Sequence, residues 1–199
     1  MEPNMIVGMI RHGETNANRD EIVQGRLDIH GLTKRGRQQI ERLAQYIGEL
    51  GIPFRWIYSS PSRRARETAE ILSYVLGLQV EYDTSLLEMD FGKLEGLPYS
   101  EVYKRKDFRT MAERFSQYRA PGGERSVDVQ QRMVNFLEQL RVNTLIVSHA
   151  IAIATVLCWI KDLSLDHVWE QNVGNGHLYL LEKKGGRFTI IKGYDALIG

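Results

Sequence analysis

The sequence predicts an α/β protein, a three-layer α/β/α sandwich with a mostly parallel central sheet and a small helical insertion. Three short apolar runs have the length of β-strands, and each leads into a polar segment that precedes a turn or a helical pattern. These runs are apolar throughout rather than alternating with polar residues, as in strands that are covered on both faces. Strands that alternate with helices along a chain form a mostly parallel sheet with helices on its faces.

The first predicted strand covers residues 5–10 and is followed by a polar, basic segment. Thr33 is a suitable N-cap for the next helix, residues 34–50, in which apolar side chains recur at helical spacing. Residues 51–53, Gly-Ile-Pro, end this helix because proline cannot continue it.

The second predicted strand covers residues 55–59. A helix follows it, with its start at Pro61 or Ser62 and its end at Gly77. Glycine is the preferred residue just past a helix C-terminus, because it adopts the left-handed conformation at little cost.

A third helix is predicted from Ser126 or Asp128, and a buried strand at residues 142–147 follows it. Residues 150–159 then predict a buried helix. Residues 143–160 contain no formal charge, which is a feature of membrane spans. Polar residues interrupt the segment, however, and it divides into a strand and a helix, so a membrane span is disfavoured.

The chain closes with two predicted strands, residues 176–182 and 187–192, around a turn at 183–186. Residues 86–123 are irregular, with short helical pieces around 99–119, and form the candidate insertion. At 199 residues the chain is expected to be a single domain, 1–199.

Charge is nearly balanced, since 26 Lys and Arg against 25 Asp and Glu give a formal net charge of +1 at pH 7. Binding of nucleic acid or an anionic membrane by charge requires a broad excess of basic residues, so neither partner is expected. A site for an anion must therefore be a local concentration of positive charge.

Cys158 is the only cysteine, which excludes an internal disulfide and any CxxC metal or redox motif. A single thiol fits a reducing compartment. The first residues do not have the pattern of a secretory signal peptide, so we expect a cytoplasmic protein. No oligomeric state is predicted.

Basic side chains follow three of the predicted strands. Arg11 and His12 follow the first, and His149 follows the third. Three arginines follow the second: Arg63, Arg64 and Arg66. The carboxyl ends of parallel strands meet at one edge of the sheet, where ligands bind. Because the arginine fork pairs with phosphate oxygens, the sequence predicts a phosphate pocket at this edge.

The two histidines at these strand ends have two possible roles. A divalent metal site is disfavoured, because the neighbouring arginines repel a cation and offer no lone pair. A neutral imidazole can instead attack phosphorus and form a phosphohistidine. The second histidine, if protonated, would stabilise the transferring phosphoryl group together with the arginines. The leaving alkoxide would then take a proton from a carboxylic acid nearby.

The segment Arg11-His12-Gly13-Glu14-Thr15 with Asn18 resembles the first motif of the histidine phosphatase superfamily, in its phosphoglycerate mutase-like branch. Further blocks follow in the family's order along nearly the whole chain, so the resemblance does not depend on one short motif. They are Gln24-Gly25 with Asp28 and Leu32-Thr33, Ser59-Ser60-Pro61 with Arg64, Leu87-Glu88 with Gly92, Pro121-Gly122-Gly123-Glu124 with Asp128 and Arg132, and Val147-Ser148-His149.

The resemblance implies a role for each matching residue, with no cofactor and no metal. It implies that His12 is the nucleophile and that Glu88 is the proton donor. The other implied site residues bind the phosphoryl group or line the pocket: Arg11, Arg64 and His149 for the phosphoryl group, with Asn18, Gln24 and Gly25 around it. Gly13 is expected to let the backbone approach the ligand.

The sequence departs from the family pattern at a few positions, none of which removes a reacting group. Ala17 replaces a frequent tryptophan, and we expect this change to alter the pocket wall. The other departures are Gly31 for proline, Glu67 for glutamine and Ala150 for glycine.

Three functions fit these residues. The favoured one is hydrolysis of a small phosphorylated metabolite, since the family's mutases are longer chains that shield the phosphoenzyme from water. The alternatives are phosphoglycerate mutase-type transfer and a non-catalytic module that binds a phosphorylated ligand.

The basic run 104–109 is expected to be a solvated helix face. The alternative is a lid that contacts a second anionic group of the substrate. His177 is expected to be structural.

Overall fold

The computed structural model describes residues 4–195, and its strands form one six-stranded sheet. The strands are β1 Met5–Arg11, β2 Trp56–Ser59, β3 Val80–Tyr82, β4 Thr144–Ser148, β5 Leu178–Lys184 and β6 Arg187–Tyr194. Their order across the sheet is β3-β2-β4-β1-β5-β6. The first four strands in this order pair in parallel, and β5 and β6 pair antiparallel. The predicted α/β class with a mostly parallel sheet is confirmed.

Helices connect the strands and cover both faces of the sheet. They are α1 Asn16–Arg19, α2 Lys34–Glu49, α3 Arg63–Leu76, α4 Tyr99–Val102, α5 Phe108–Glu113, α6 Ser126–Gln139 and α7 Ala150–Ile160. Short 3-10 turns occur at Thr84–Leu86, Gly92–Leu94, Phe115–Gln117 and Leu165–Gln171. None of the helices within residues 4–195 has both the length and the apolar character needed to cross a membrane.

Side chains of β1 alternate between two apolar cores, one on each face of the sheet. Met5, Val7 and Met9 pack with α6 and α7, whereas Ile10 packs with α2 and α3. Gly8 faces the second core, where an added Cβ would lie 2.7 Å from Leu145. The uniformly apolar strands of the sequence therefore belong to a sheet buried on both sides.

The register of the parallel strands brings their carboxyl ends to one level. Arg11 at the end of β1 pairs with Ser148 at the end of β4, and Ser59 at the end of β2 pairs with Val147. Each side chain that follows these ends therefore projects from the same edge, as the sequence predicted.

Two short elements of the structure, α1 and β3, were not predicted from the sequence. Helix α1 is a single turn, closed by a capping box in which Thr15 and Asn18 bond each other's backbone N–H. Strand β3 has only three residues, lies at the sheet edge and is partly exposed, so it lacks a long apolar run. The predicted strand 142–147 starts later, at Thr144, because Val142 is exposed.

Candidate active site

A cavity of about 340 Å³ lies at the carboxyl edge of the sheet. Seven of the eight predicted site residues line it: Arg11, His12, Asn18, Gln24, Gly25, Arg64 and Glu88. The eighth, His149, does not line the cavity and lies fully buried beside it, with its ring centre 5.3 Å from that of His12. The residues selected from the sequence therefore lie together at one cavity, with His149 behind its wall.

His12 directly follows β1, and its ring is oriented by the backbone. Nδ1 lies 2.8 Å from the carbonyl oxygen of Gly13, which can only accept a hydrogen bond. Nδ1 therefore carries the hydrogen and Nε2 keeps its lone pair. Burial lowers the pKa of His12 well below its usual value of 6.5, and the charges of Arg64 and Arg11 lower it further, against a smaller opposing effect of the Gly13 bond. The ring is neutral at pH 7.

Two arginines, the fully buried Arg64 and the half-buried Arg11, stand beside His12 and are held by backbone carbonyl groups. Arg11 donates to the Val173 carbonyl at 2.6 Å. Arg64, in the first turn of α3, donates to the carbonyl groups of Gly25 and Leu27 at 2.7 and 3.0 Å. Backbone carbonyl groups fix the guanidinium planes without cancelling their positive charge.

His149 differs in protonation from the sequence expectation. Burial lowers its pKa well below 6.5, and the charge of Arg64 lowers it further, so the ring is neutral rather than cationic. Its Nε2 lies 2.8 Å from Ser60 Oγ and 3.3 Å from Ser62 Oγ, and these two hydroxyl groups are also within hydrogen-bond distance of each other. When either hydroxyl donates to Nε2, the hydrogen of the neutral ring is on Nδ1.

Unsatisfied polar atoms concentrate at this site. Among residues 4–195, five buried side-chain N or O atoms have no hydrogen-bond partner, and three of them are Arg11 Nε, Arg64 Nε and His149 Nδ1. Buried donors without an acceptor are costly, which is a reason to expect a ligand with acceptor oxygens next to them. All three atoms belong to residues that were predicted to hold a phosphoryl group.

Glu88 follows the 3-10 turn Thr84–Leu86 along the chain, and its carboxylate lies beside the N-terminus of α7. Backbone N–H groups hold the carboxylate there. Oε1 accepts from Met89 and Ala152 at 2.9 and 3.0 Å, and Oε2 accepts from Ile151 at 3.1 Å. The first turn of a helix has N–H groups without intrahelical partners, so a carboxylate satisfies them. The carboxyl group is thereby fixed at the cavity wall, with remaining acceptor capacity on Oε2.

The amide side chains at the cavity have their oxygens occupied and their nitrogens available. Asn18 Oδ1 accepts from the N–H of Thr15, from its hydroxyl and from Asn175 Nδ2. Gln24 Oε1 accepts from the hydroxyl of Thr15 at 3.0 Å. Both NH₂ groups are therefore oriented as donors for a ligand.

A profile of the histidine phosphatase superfamily (branch 1) matches residues 7–195 of the chain. The protein belongs to this superfamily. The family resemblance that the sequence blocks predicted is confirmed.

Known members of the superfamily are similar to this histidine phosphatase over most of its length. A putative phosphoserine phosphatase 2 of Hydrogenobacter thermophilus is 31% identical over 189 residues, 92% of each chain. A probable phosphoglycerate mutase GpmB of Escherichia coli O1:K1 is 32% identical over 164 residues, 79% of this chain and 75% of the relative. The solved structure of Bacillus stearothermophilus YhfR has a TM-score of 0.85 at 31% identity, covering 94% of this chain and 95% of that one.

Sequence reasoning missed several supporting residues of this histidine phosphatase. Ser60 and Ser62 orient His149, and Asn175 donates to the carbonyl of His12 and to Asn18, both at 3.1 Å. Arg132 donates to the carbonyl groups of residues 85, 87 and 88. Ser60 and Arg132 belong to the sequence blocks but were given no role there, because the partners in these bonds are 44 or more residues away along the chain.

Other residues considered from the sequence do not line the cavity. Glu14 accepts from Thr33, and Cys158 is buried in the core on the α6 and α7 side. His177 is buried against Gly174 and Asp195, with Nε2 2.6 Å from the Asp195 carboxylate. The remaining basic residues have acidic neighbours: Arg63 with Glu67, Arg66 with Asp28, Lys104 with Glu101, Arg105 with Asp107, and Arg109 with Glu113.

Two expectations about small residues differ from the structure. Gly13 is tightly packed against α2, since an added Cβ would lie 2.6 Å from the carbonyl oxygen of Gly36. Close approach to a helix backbone, rather than to a ligand, therefore accounts for the glycine. Ala17 is fully buried and does not line the cavity, so its small size does not shape the wall directly.

Residues 4–195 contain no cluster of three or more His, Cys, Asp or Glu side chains that could hold a metal ion. The carboxylate of the cavity lining is Glu88, and its oxygens are bonded to backbone N–H groups.

Proposed function

We propose that this histidine phosphatase hydrolyses phosphomonoesters of small metabolites through a phosphohistidine formed on Nε2 of His12. The observation that carries the proposal is the orientation and charge of His12. A neutral ring, with Nδ1 bonded to Gly13, presents its Nε2 lone pair between two fixed arginines. Such a ring is a nucleophile for phosphorus.

In the first step the Nε2–P bond forms and the P–O bond to the alcohol breaks. Arg11 and Arg64 neutralise the charge on the phosphoryl oxygens, and His149 donates through Nδ1–H. Glu88, as the acid, gives its proton to the leaving oxygen. The phosphohistidine and the free alcohol are the products of this step.

In the second step water attacks phosphorus and the Nε2–P bond breaks. Glu88, now a carboxylate, accepts a proton from the attacking water, so the side chain returns to its initial state. Inorganic phosphate leaves, and Nε2 recovers its lone pair. Asn18 and Gln24 support both steps as donors to the phosphoryl oxygens.

Phosphoglycerate mutase-type transfer is the second candidate, because one of the relatives is named a probable phosphoglycerate mutase. It differs only in the acceptor, which is a sugar acid instead of water. An assay of 3-phosphoglycerate that follows both isomerisation and phosphate release separates the two reactions. We expect phosphate release, and isomerisation without release would establish the mutase. A non-catalytic module would do neither.

The nucleophile is tested by His12→Gln, which keeps a polar side chain but cannot form the intermediate. Turnover of phosphomonoesters is expected to fall by roughly 10³-fold or more. Brief reaction of the unaltered protein with a ³²P-labelled phosphomonoester is expected to leave label that is labile in acid and stable in base. His167→Gln, at an exposed histidine, is the matched control. Retained turnover in His12→Gln, or acid-stable label, would overturn the covalent mechanism.

We also propose that residues 1–199 form a single domain, with 86–123 as its insertion. The match of the superfamily profile over residues 7–195 and the continuous six-stranded sheet support this division. A cytoplasmic location remains a prediction, supported by the free and buried Cys158.

A further inference from the structure

The cavity has two chemically different ends. Its buried end contains the charged side chains Arg11, Arg64 and Glu88. Its outer part is lined by large apolar and aromatic side chains, of which Tyr103 is 58% exposed and Trp169 is 46% exposed. We call this outer part, formed by Phe91, Tyr99, Tyr103, Met111 and Trp169, the aromatic mouth.

The exposed rings of the aromatic mouth are held in position. The indole N–H of Trp169 donates to the Met111 carbonyl at 3.0 Å, and its ring lies edge-on to Phe115 with centroids 5.2 Å apart. The ring of Tyr103 packs on Phe108 at 5.0 Å. Large apolar surfaces that remain exposed but ordered are typical of a surface that a ligand covers.

No basic residue of the neighbouring run 104–109 lines the cavity. Lys104, Arg105 and Arg109 bond Glu101, Asp107 and Glu113, whereas Lys106 is exposed and has no ion pair with a described residue. Within the described residues, the arginines of the cavity lining are Arg11 and Arg64, both at the buried end. A carboxylate on the alcohol part of a substrate would therefore lose water at the mouth without gaining a cation.

We propose that the aromatic mouth binds the alcohol part of the substrate, and that the enzyme prefers phosphomonoesters of apolar or aromatic alcohols to phosphomonoesters that carry a carboxylate. This inference rests on the proposed function and adds its substrate class. The phosphoryl group fills the charged end of the cavity, and the rings of Tyr103 and Trp169 cover the alcohol. Aromatic side chains stack on an aromatic group by offset or edge-on contact.

The preference is tested with two primary alkyl phosphates whose leaving oxygens are similar, 3-phenylpropyl phosphate and the phosphate monoester of 3-hydroxypropanoate. We expect kcat/KM to be about tenfold or more higher for the phenyl compound. Equal values, or a preference for the carboxylate, would overturn the inference while the proposed function stands. If the enzyme hydrolyses neither these compounds nor p-nitrophenyl phosphate, the proposed function fails, and the inference fails with it.

Two variants assign the preference to the mouth. Tyr103→Ala is expected to lower the ratio of the two kcat/KM values several-fold, and Tyr103→Arg is expected to lower it further by offering a cation to the carboxylate. Tyr103 is more than half exposed, so neither change removes a buried core residue. The control is Tyr74→Ala, at a 91% exposed tyrosine outside the cavity lining. A ratio unchanged in both Tyr103 variants would show that the mouth does not bind the alcohol.

Discussion

The charge state of single side chains decides which chemistry this cavity can perform. Arg11 and Arg64 remain cationic because arginine does not lose its proton in proteins, whereas burial keeps His12 and His149 neutral. A neutral histidine between two cations is a nucleophile that attracts an anionic substrate. The same two histidines in their protonated form would hold phosphate but could not attack it.

Asn175 is a residue whose importance depends on two hydrogen bonds. It donates to the carbonyl of His12 and to Asn18 Oδ1, both at 3.1 Å, and so connects the nucleophile segment to a ligand donor. Asn175→Ala is expected to lower kcat/KM about tenfold, since each lost bond weakens positioning by ~1 kcal/mol. Asn175→Asp should lower it further, because a carboxylate cannot donate to either oxygen.

Steady-state kinetics with thermal unfolding check the role of Asn175. Asn135→Ala, at an exposed asparagine of α6, is the matched control and is expected to match the unaltered protein. Equal kcat/KM in Asn175→Ala and the control would contradict the positioning role.

At the scale of elements, two helices fix the segment that carries Glu88. Helix α7 holds the carboxylate through its first N–H groups, and Arg132 of α6 holds the backbone carbonyl of Glu88 at 3.0 Å. Arg132 also forms a two-bond ion pair with Glu124, at 3.1 Å for both contacts. Burial alone would raise the pKa of Glu124, but the bonds from Arg132 and from the N–H of Asp90 lower it overall. Arg132, which does not line the cavity, thus helps to place Glu88.

Arg132→Met removes these bonds and keeps an apolar side chain of similar length. We expect kcat for alkyl phosphates to fall about tenfold or more, with a much smaller decrease for p-nitrophenyl phosphate, because only poor leaving groups require protonation by Glu88. Glu88→Gln should give the same pattern with a larger effect.

The ratio of alkyl to aryl turnover checks the Arg132 prediction, because a general loss of folded protein would lower both rates equally. The control is Arg125→Met, at an exposed arginine that pairs with Asp128. An equal decrease for both substrate types would mean that Arg132 stabilises the fold without placing the acid.

For the whole molecule, the buried neutral histidines connect stability to pH. The pKa values of His12 and His149 are lowered in the folded state, whereas the unfolded chain takes up protons near the usual value of about 6.5. Below that pH the unfolded state binds more protons than the folded state, so stability falls as pH falls. Well above pH 6.5 both histidines are neutral in the folded and the unfolded state, so this loss of stability is absent.

We expect the free energy of unfolding to decrease between pH 7.5 and 5.5, by up to ~1.4 kcal/mol per pH unit for each histidine below its unfolded pKa. Urea unfolding in a buffer without phosphate measures this slope. His12→Gln should reduce the slope, whereas His167→Gln, at an exposed histidine, should leave it unchanged. The same slope in His12→Gln and in the unaltered protein would mean that His12 is not held neutral.

Much of the fold and of the candidate site could be predicted from the sequence. Strands β1, β2 and β4 are short apolar runs in the sequence. Basic side chains stand at or after the ends of these strands: Arg11 at the end of β1, Arg64 in the helix after β2, and His149 directly after β4. Helix α1 and strand β3 were missed because one helical turn and three partly exposed residues have too little periodicity. Ser60 and Asn175 were not predicted as supporting residues, because their partners are 89 and 163 residues away along the chain.

The sequence by itself determined the succession of the main strands and helices along the chain, the family and the candidates for the reacting groups, because these depend on local pattern and on residue type. Only the tertiary structure decided that His149 is neutral, since its pKa depends on burial and on the charge of Arg64. The tertiary structure also decided that three of the four cations of 104–109 bond carboxylates and that aromatic rings surround the mouth of the cavity. Protonation and pocket character depend on which distant groups meet in space, and packing alone brings them together.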